Sequence, residues 1–229
     1  MLSSLPNVVF GSVQASEEFR DTPLESWYSS AAINRSVFYE KHLSGALRLA
    51  VLFKRGGVFL DEDTVTMKPL SEFRTCVSQK LLRKGDSVGN SFLFFEAGHA
   101  FLRDVMERAA SDYDPARSSC MGPELLRDVL LERCGVDSVA PLASSGRRCK
   151  EVLVLPAHVL MPVPWTAWKQ LFDACRDSDW DTLRSSHAVC FYRGVSSGHA
   201  AAWHSAYWRA ASDFCPRSLD LSLEQSGGF

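Results

Sequence analysis

The sequence predicts a mixed α/β fold, and three observations support that class. Helical and strand-like segments alternate along the chain, with no internal repeat and no low-complexity linker. A glycine-ended helix runs directly into an apolar strand before residue 61. With 229 residues, 46% hydrophobic and 23% charged, the chain is long enough to bury one sizeable core. We therefore expect one α/β domain over residues 1–229.

The clearest boundary between two elements lies between residues 44 and 60. Ser44 is a residue type that caps helices, and apolar residues then recur at helical spacing. Lys54 and Arg55 would occupy the last turn, where cations suit the helix dipole. Gly56 would end the helix, and residues 58–60 form an apolar run typical of a buried strand.

The remaining elements follow the same alternation. Residues 91–95 are expected to form a buried strand, and residues 99–110 an amphipathic helix. Pro123 suits the first turn of the next helix. Residues 152–155 are strand-like, and residues 203–214 predict a last helix. The large aromatic residues of that helix are expected to pack in the core, with a platform for a sugar as the alternative: Trp203, Tyr207 and Trp208.

An acidic pair follows the first predicted strand, in the run Gly56-Gly57-Val58-Phe59-Leu60-Asp61-Glu62-Asp63. Because a strand places residues i and i+2 on one face, Asp61 and Asp63 could direct two carboxylates at one point. Two such oxygen anions suit Mn²⁺ or Mg²⁺, whose other coordination positions phosphate oxygens commonly fill. The pattern therefore predicts a metal site for a diphosphate.

Two other interpretations of the acidic run remain open at this point. Three neighbouring acidic residues often form a solvated turn with no ligand. In addition, Asp61-Glu62-Asp63-Thr64-Val65 resembles the strand-end motif of haloacid-dehalogenase-type phosphatases. The motif by itself does not distinguish these interpretations from a metal site.

Ordered blocks along nearly the whole chain resemble the α-1,4-glycosyltransferase family. The blocks are Phe19-Arg20-Asp21-Thr22-Pro23-Leu24, Trp27-Tyr28, Arg48, Gly56-Gly57, Leu60-Asp61-x-Asp63, Asn90-Ser91-Phe92-Leu93-Phe94-Phe95-Glu96, Gly122-Pro123-Glu124-Leu125-Leu126, Leu155-Pro156, Pro162-Val163-Pro164-Trp165, Trp168-Lys169 and Cys215-Pro216. The resemblance implies a GT-A type fold, with an Asp-x-Asp sugar-nucleotide part over about residues 1–111 and a C-terminal part over about 112–229.

The same resemblance implies an activity. Members transfer galactose or N-acetylglucosamine in α-1,4 linkage, with retention, from a UDP-sugar to a galactose-ended glycolipid or glycan in the Golgi lumen. They need a divalent cation, here Mn²⁺ or Mg²⁺. They also carry an amino-terminal membrane anchor and a strand that holds the uridine base, and the resemblance implies that this chain lacks both.

The resemblance also implies site residues, each at a position that matches a family motif. Asp61 and Asp63 would be the metal ligands and the catalytic centre. Arg48 would contact the diphosphate, although it could also be an ordinary surface arginine of its helix. The donor sugar would contact Asn90 and the backbone at two glycines, Gly57 and Gly122. Trp165 would stack on the acceptor galactose, with structural burial as the alternative.

Two departures from the family pattern favour an alternative function. Gly45 stands where the family has an aspartate, three residues before the helix arginine. Cys190 stands where the family has a histidine expected as the third metal ligand, and a thiol suits a hard cation poorly. His187 or His199 could substitute. Otherwise the chain would be an impaired or inactive relative that acts as a binding or partner domain.

Charge and hydropathy exclude other classes. A net charge of −2 and a pI near 6.3 give no electrostatic reason to bind nucleic acid or an anionic membrane. No apolar run approaches the roughly 18 residues that span a bilayer. A membrane would therefore be reached only through an anchor outside this sequence.

The seven cysteines include no Cys-x-x-Cys pair typical of a zinc site. Cys134 and Cys149 flank a loop, and both match cysteine positions of the family. The resemblance therefore implies a disulfide between them, with two reduced and packed thiols as the alternative.

Overall fold

A computed structural model describes residues 6–82 and 86–219 of the chain. Two compact units divide the chain. The larger unit comprises Ser12–Leu60 and Phe73–Pro156, and the smaller unit comprises Asp61–Glu72 with the described parts of Met1–Gly11 and Ala157–Phe229. Helices and strands alternate as the sequence predicts, so the α/β class is confirmed.

The strands are β1 (Gly57–Leu60), β2 (Thr64–Thr66), β3 (Cys76–Leu81), β4 (Asp86–Phe95), β5 (Arg148–Cys149), β6 (Val152–Leu155) and β7 (Ala188–Cys190). The α-helices are α1 (Ala15–Phe19), α2 (Glu25–Ser29), α3 (Tyr39–Arg55), α4 (Ala100–Ser111), α5 (Pro123–Cys134), α6 (Ala140–Ser145), α7 (Ala157–Leu160), α8 (Asp177–Arg184), α9 (Arg193–Ser196) and α10 (Ala206–Phe214). Two 3-10 helices span Ala32–Arg35 and Trp165–Leu171. Among the described residues, every helix is too short or too polar to cross a membrane.

A five-stranded sheet forms the centre of the larger unit, in the order β1-β4-β3-β6-β5. Only the β3–β6 pair is parallel among these ladders. The long strand β4 pairs with both β1 and β3, and its apolar side chains Leu93 and Phe95 are fully buried. Helix α4 follows β4 and places Phe101 against Phe95, with ring centroids 5.5 Å apart. The sheet and its helices therefore share one core.

Helix α3 begins at Tyr39, five residues before the Ser44 cap that the sequence predicts. Ser44 is exposed in the middle of the helix, so that prediction is wrong. The added turn carries His42, which is fully buried and bonded to groups far along the chain. These tertiary hydrogen bonds stabilise a first turn that local propensity does not specify.

The predicted end of α3 is confirmed. The Gly56 N–H donates to the Leu52 carbonyl over 2.8 Å, and the residue has a φ of +66°. A Cβ there would lie 2.7 Å from the Ala97 backbone nitrogen. Gly56 is therefore required both by its left-handed φ and by the close approach of a second backbone.

Most of the other predicted elements are confirmed within a few residues. Residues 91–95 lie in β4, α4 begins after His99, Pro123 is the first residue of α5, and residues 152–155 form β6. The last helix begins later than predicted, at Ala206, because the Ser205 hydroxyl accepts a hydrogen bond from the Trp208 N–H and caps it.

The expectation that all three aromatic residues near this helix are core residues is wrong. Trp203 precedes the helix and its exposed fraction is 63%. Tyr207 does pack against the core of the smaller unit. Trp208 is half-buried and packs against Trp203 rather than in that core.

The smaller unit has its own core and its own two-stranded sheet. β2 pairs with β7 in antiparallel register, with Thr64 opposite Cys190 and Thr66 opposite Ala188. Apolar residues from distant segments meet around this ladder, and they include Met67, Leu171, Phe172, Trp180 and Phe191. The ladder therefore joins residues more than a hundred positions apart in sequence.

The disulfide between Cys134 and Cys149 is present in the larger unit, with Cα atoms 5.8 Å apart. It links the end of α5 to β5, across a sequence separation of 15 residues. The pairing implied by the family resemblance is confirmed.

We expect the double variant Cys134→Ser, Cys149→Ser to unfold more readily. Opening a loop of this length lowers the free energy of unfolding by about 3 kcal/mol, because the unfolded chain regains entropy. Urea denaturation without reductant measures the effect, and Cys215→Ser, which alters a free cysteine, is the control. Equal unfolding midpoints for the double variant and the unaltered chain would contradict the prediction.

Candidate functional site

The acidic motif lies in a turn between β1 and β2. β1 ends at Leu60 and β2 begins at Thr64, whose N–H donates to the Asp61 carbonyl over 3.1 Å. The sequence argument that strand alternation places Asp61 and Asp63 on one face is therefore wrong, because neither residue is in a strand. The conformation of the turn, and not the alternation of side chains along a strand, determines the directions of the two carboxylates.

Both aspartates line the same open pocket. The pocket belongs to the smaller unit and has a volume of about 450 Å³. Its lining residues are Asp61, Glu62, Asp63, Arg193, Gly194 and Ser197. Glu62 forms an ion pair with Arg193 across the pocket. The fold therefore keeps both carboxylates accessible to a ligand from solvent.

Asp63 is held in place by the segment that follows β7. Its carboxylate Oδ2 accepts a hydrogen bond from the Arg193 N–H over 2.8 Å. Its backbone carbonyl accepts from the Phe191 N–H, also over 2.8 Å. Tyr192, between these donors, has a left-handed φ of 55°. Such a backbone is costly for a bulky residue, and it turns the Arg193 N–H toward Asp63.

Cys190 lies against the same carboxylate. Its Sγ is 3.5 Å from Asp63 Oδ1 and donates toward it. Burial, and secondly the negative charge of Asp63, raises the pKa of the Cys190 thiol to about 12. The thiol therefore stays protonated at neutral pH and interacts with Asp63 as a hydrogen-bond donor.

The donor set fits a hard divalent cation that shares its coordination with phosphate. Mg²⁺ and similar ions are commonly held by one or two carboxylates, with substrate oxygens and water in the other positions. Among the described residues, no group of three or more His, Cys, Asp or Glu side chains could hold a metal ion. Asp61 and Asp63 would be the two ligands from the protein, and the remaining ligands would come from the substrate and solvent.

Neither histidine considered as a substitute ligand joins the two aspartates in a three-residue group. His187 pairs with Glu72. His199 packs edge-on against Trp168 and Phe172, with ring centroids 5.0 and 5.8 Å away. The expectation that His187 or His199 replaces the missing ligand is therefore wrong.

A second group of predicted residues comes together within the larger unit. Arg48 Nη1 donates to the Asn90 carbonyl over 2.6 Å, and the guanidinium lies over the Phe59 ring, 4.1 Å from its centroid. A Cβ on Gly122 would lie 4.0 Å from Asn90 Nδ2. Arg48, Asn90 and Gly122 therefore lie close together, although Arg48 and Gly122 are 74 positions apart in the sequence.

Gly57 lies away from this group. It pairs with Phe95 at the start of β1, whereas Leu60, at the other end, pairs with Phe92. Phe95 lies five positions along β4 from Asn90, which is about 17 Å of extended strand. Gly57 has a φ of +105°, so a turn explains this glycine, and its contact with a donor sugar remains a prediction.

Close packing of α3 explains why Gly45 is a glycine. A Cβ at this position would lie 2.3 Å from the Met121 carbonyl oxygen, directly before Gly122. The segment before Met121 is also fixed, because the buried His42 donates from Nε2 to the Arg117 carbonyl over 3.2 Å. The aspartate that the resemblance implies for position 45 would not fit this packing.

Trp165 begins a 3-10 helix of the smaller unit directly after Pro164. Trp165 is 42% exposed, so the alternative of structural burial is wrong. An exposed ring is available for stacking, and its contact with an acceptor remains a prediction.

Sequence reasoning did not find the part that Arg193 plays at this site. Its N–H and its guanidinium contact two members of the acidic turn, Asp63 and Glu62. The sequence carries no signal for this, because the contact depends on a left-handed tyrosine and on pairing between strands far apart in the chain.

Comparison with known proteins identifies the family. The family model described as "Alpha 1,4-glycosyltransferase conserved region" matches residues 94–222, more than half of the chain. A second model, "Glycosyltransferase sugar-binding region containing DXD motif", matches residues 9–84 and so includes the acidic turn. These matches give the phosphatase interpretation of the turn no support.

Curated relatives agree with these matches. Lactosylceramide 4-alpha-galactosyltransferase of Rattus norvegicus is 31% identical over 86% of this chain and 53% of its own length, and the protein of that name from Homo sapiens is 30% identical over 86% and 54%. Alpha-1,4-N-acetylglucosaminyltransferase of Homo sapiens is 26% identical over 79% and 50%. The chain thus spans about half the length of these relatives. A solved structure, PaToxG Glycosyltransferase, aligns with a TM-score of 0.42 and 17% identity over 59% of this chain and 48% of that chain.

We expect Gly45→Ala to destabilise the protein by about 1–3 kcal/mol, because overpacking would force α3 away from Met121. Thermal unfolding measures the loss, and Gly194→Ala, where a Cβ meets open space, is the matched control. Equal unfolding temperatures for Gly45→Ala and the unaltered chain would show that α3 does not pack this tightly against Met121.

Proposed function

Because the chain belongs to the α-1,4-glycosyltransferase family, we propose that it transfers galactose or N-acetylglucosamine in α-1,4 linkage, with retention, from a UDP-sugar to a galactose-ended glycolipid or glycan. The observation that carries the proposal is the pair of carboxylates, Asp61 and Asp63, on one open pocket inside the matched Asp-x-Asp region. The mixed α/β architecture suits a GT-A type enzyme.

Asp61 and Asp63 would hold Mn²⁺ or Mg²⁺ through their carboxylate oxygens. A bound cation acts as a Lewis acid and stabilises the charge that develops on the leaving diphosphate, an effect of several kcal/mol. The Arg193 N–H restrains Asp63 Oδ2, which fixes the carboxylate before the donor arrives. A fixed ligand needs little reorganisation when the substrate binds.

Basic and neutral groups within the larger unit are further proposed contacts for a sugar nucleotide. The Asn90 carbonyl and the Phe59 ring orient the Arg48 guanidinium, whose planar donors match phosphate oxygens. The Asn90 amide suits sugar hydroxyls, and the backbone at Gly122 permits close approach. Gly57 would contact the donor sugar through its backbone. Trp165 would stack on the acceptor galactose.

The proposed setting is the Golgi lumen, where an enzyme of this kind meets nucleotide sugars and glycolipids. The disulfide between Cys134 and Cys149 supports an oxidising compartment.

We expect Asp63→Asn to remove the Mn²⁺-dependent part of UDP binding and the release of UDP from UDP-galactose in the presence of lactose. An amide can still accept the Arg193 hydrogen bond, so the local structure is kept while the charge is lost. Isothermal titration of UDP with and without Mn²⁺ measures binding, and a coupled assay measures UDP release.

The matched control is Glu62→Gln, which removes the same charge from the same pocket but leaves both proposed ligands. It should retain most of the Mn²⁺-dependent binding. Binding that is lost equally in both variants would show that the pocket acts only through its net charge. Unchanged binding in Asp63→Asn would refute the proposed metal site.

A second candidate function is an impaired relative that binds sugar nucleotides or a partner without efficient transfer. The observation that favours it is Cys190, whose protonated thiol occupies a position next to Asp63 where the family has a histidine. A buried thiol offers a divalent cation such as Mn²⁺ a poor ligand.

We expect Cys190→His to raise the affinity for Mn²⁺ about tenfold, because an imidazole beside Asp63 would complete a three-ligand site. Cys190→Ser is the control, since it removes the thiol without adding a nitrogen ligand. Mn²⁺ titration followed by electron paramagnetic resonance measures both, with circular dichroism to verify folding. A correctly folded Cys190→His variant with unchanged affinity would mean that position 190 does not face the cation.

A further inference from the structure

Three aromatic rings meet at the start of α10, outside the core of the smaller unit: Trp203 and His204 are exposed, and Trp208, in the first turn of the helix, is half-buried. The ring centroids of Trp203 and Trp208 are 4.4 Å apart, and that of His204 lies 5.5 Å from Trp203 and 5.4 Å from Trp208. Trp203 is 63% exposed, compared with 42% for Trp165. We call Trp203, His204 and Trp208 the aromatic platform.

The backbone beneath the platform is strained and firmly held. His204 has a left-handed φ of 61°. Its carbonyl accepts three hydrogen bonds: from the Cys175 N–H over 3.4 Å, from the Cys175 thiol over 3.3 Å and from Arg209 Nε over 3.2 Å. Arg209 is itself held by Asp177, over 2.7 Å. Strain of this kind persists only where surrounding contacts fix it, and it often marks a binding site.

A cavity of about 630 Å³ adjoins the platform through Cys175, which lines the cavity and holds His204. This volume is typical of small-molecule sites. The cavity offers carboxylate, amide and hydroxyl groups from Asp173, Asp179, Gln170 and Thr182. Its lining residues, all in the described part of the chain, include no lysine or arginine and share none with the pocket of Asp61 and Asp63.

We infer that the aromatic platform and the adjoining cavity form a second binding site, which takes a neutral oligosaccharide. A pyranose ring presents an apolar C–H face that stacks on an indole, and its hydroxyls donate to carboxylate and amide oxygens. The rings would provide the stacking contact and the cavity groups the hydrogen bonds, and Cys175, which lines the cavity, is bonded to the His204 carbonyl of the platform.

The charge of the site selects against other occupants. The described lining of the cavity contains Asp173 and Asp179 and no lysine or arginine, so it offers phosphates and anionic lipid headgroups no cationic partner. Arg176 pairs with Asp179 and Arg209 pairs with Asp177, so the nearby cations are already neutralised. A neutral polyhydroxyl ligand meets neither an unpaired cation nor a purely apolar surface.

Sugar binding at this site does not require the transfer step, and its effect on transfer rests on the proposed function. A galactose-ended chain held here would raise the local concentration of acceptor, as linked binding sites do. The test uses sugar alone, with no UDP and no metal, so its result is independent of whether Asp61 and Asp63 act as proposed.

The experiment is a titration of the ¹⁵N-labelled protein with lactose and lacto-N-neotetraose, two neutral galactose-ended sugars, followed by the indole N–H signals. We expect shifts of the Trp203 and Trp208 signals, with tighter binding of the longer sugar. Trp203→Ala should weaken binding about tenfold or more, because an exposed aromatic anchor is lost, and Trp203→Phe should retain most of it. Val195→Ala, a change of an exposed apolar residue in the same unit, should leave it unchanged.

Trp203→Ala should fold normally, since the side chain is mostly exposed, and its thermal unfolding verifies this. Absence of shifts in the unaltered protein, or equal affinity in Trp203→Ala, overturns the inference. Binding to phosphatidylcholine vesicles or self-association, either of them lost in Trp203→Ala while sugar binding is absent, also overturns it by assigning the platform to a membrane or to a second copy.

Discussion

The antiparallel pairing of β2 with β7 determines which groups surround the acidic turn. Thr64 lies opposite Cys190, and the Phe191 N–H extends the ladder to the Asp63 carbonyl. This register brings the Arg193 N–H to the Asp63 carboxylate and the Cys190 thiol to its other oxygen. A shift of one residue would place different side chains on that face, because strand side chains alternate. The chemistry available at Asp63 therefore depends on one short ladder.

In the larger unit, tight backbone contacts have a comparable effect. Gly45 allows α3 to approach Met121, and this approach helps to position Gly122 near Asn90 and Arg48. His42 is fully buried and desolvation lowers its pKa, so it stays neutral and donates to the Arg117 carbonyl. The Tyr113 hydroxyl can then donate to the other ring nitrogen, over 3.0 Å. A glycine and a neutral histidine thus fix the segment that carries a proposed donor contact.

The two departures from the family pattern have different physical meanings. Gly45 is consistent with the packing around it, because a side chain there would collide with the Met121 backbone. Cys190 is also buried, but its thiol donates a hydrogen bond to Asp63 at the position where the family resemblance implies a metal ligand. The first departure is explained by packing, and the second changes the groups next to the proposed metal ligand Asp63.

The sequence by itself determined the α/β class, most of the elements, the end of α3 at Gly56 and the presence of two neighbouring aspartates. These features depend on local rules: hydrophobic period, glycine conformation and residue type. The start of α3, the turn that carries Asp61 and Asp63, the contact of Cys190 with Asp63 and the exposure of Trp203 were decided only by the tertiary structure. Each of these depends on contacts between residues far apart in the chain, such as His42 with Arg117 or Asp63 with Arg193. Local propensity does not encode such contacts, because their energy exists only after distant segments have packed together.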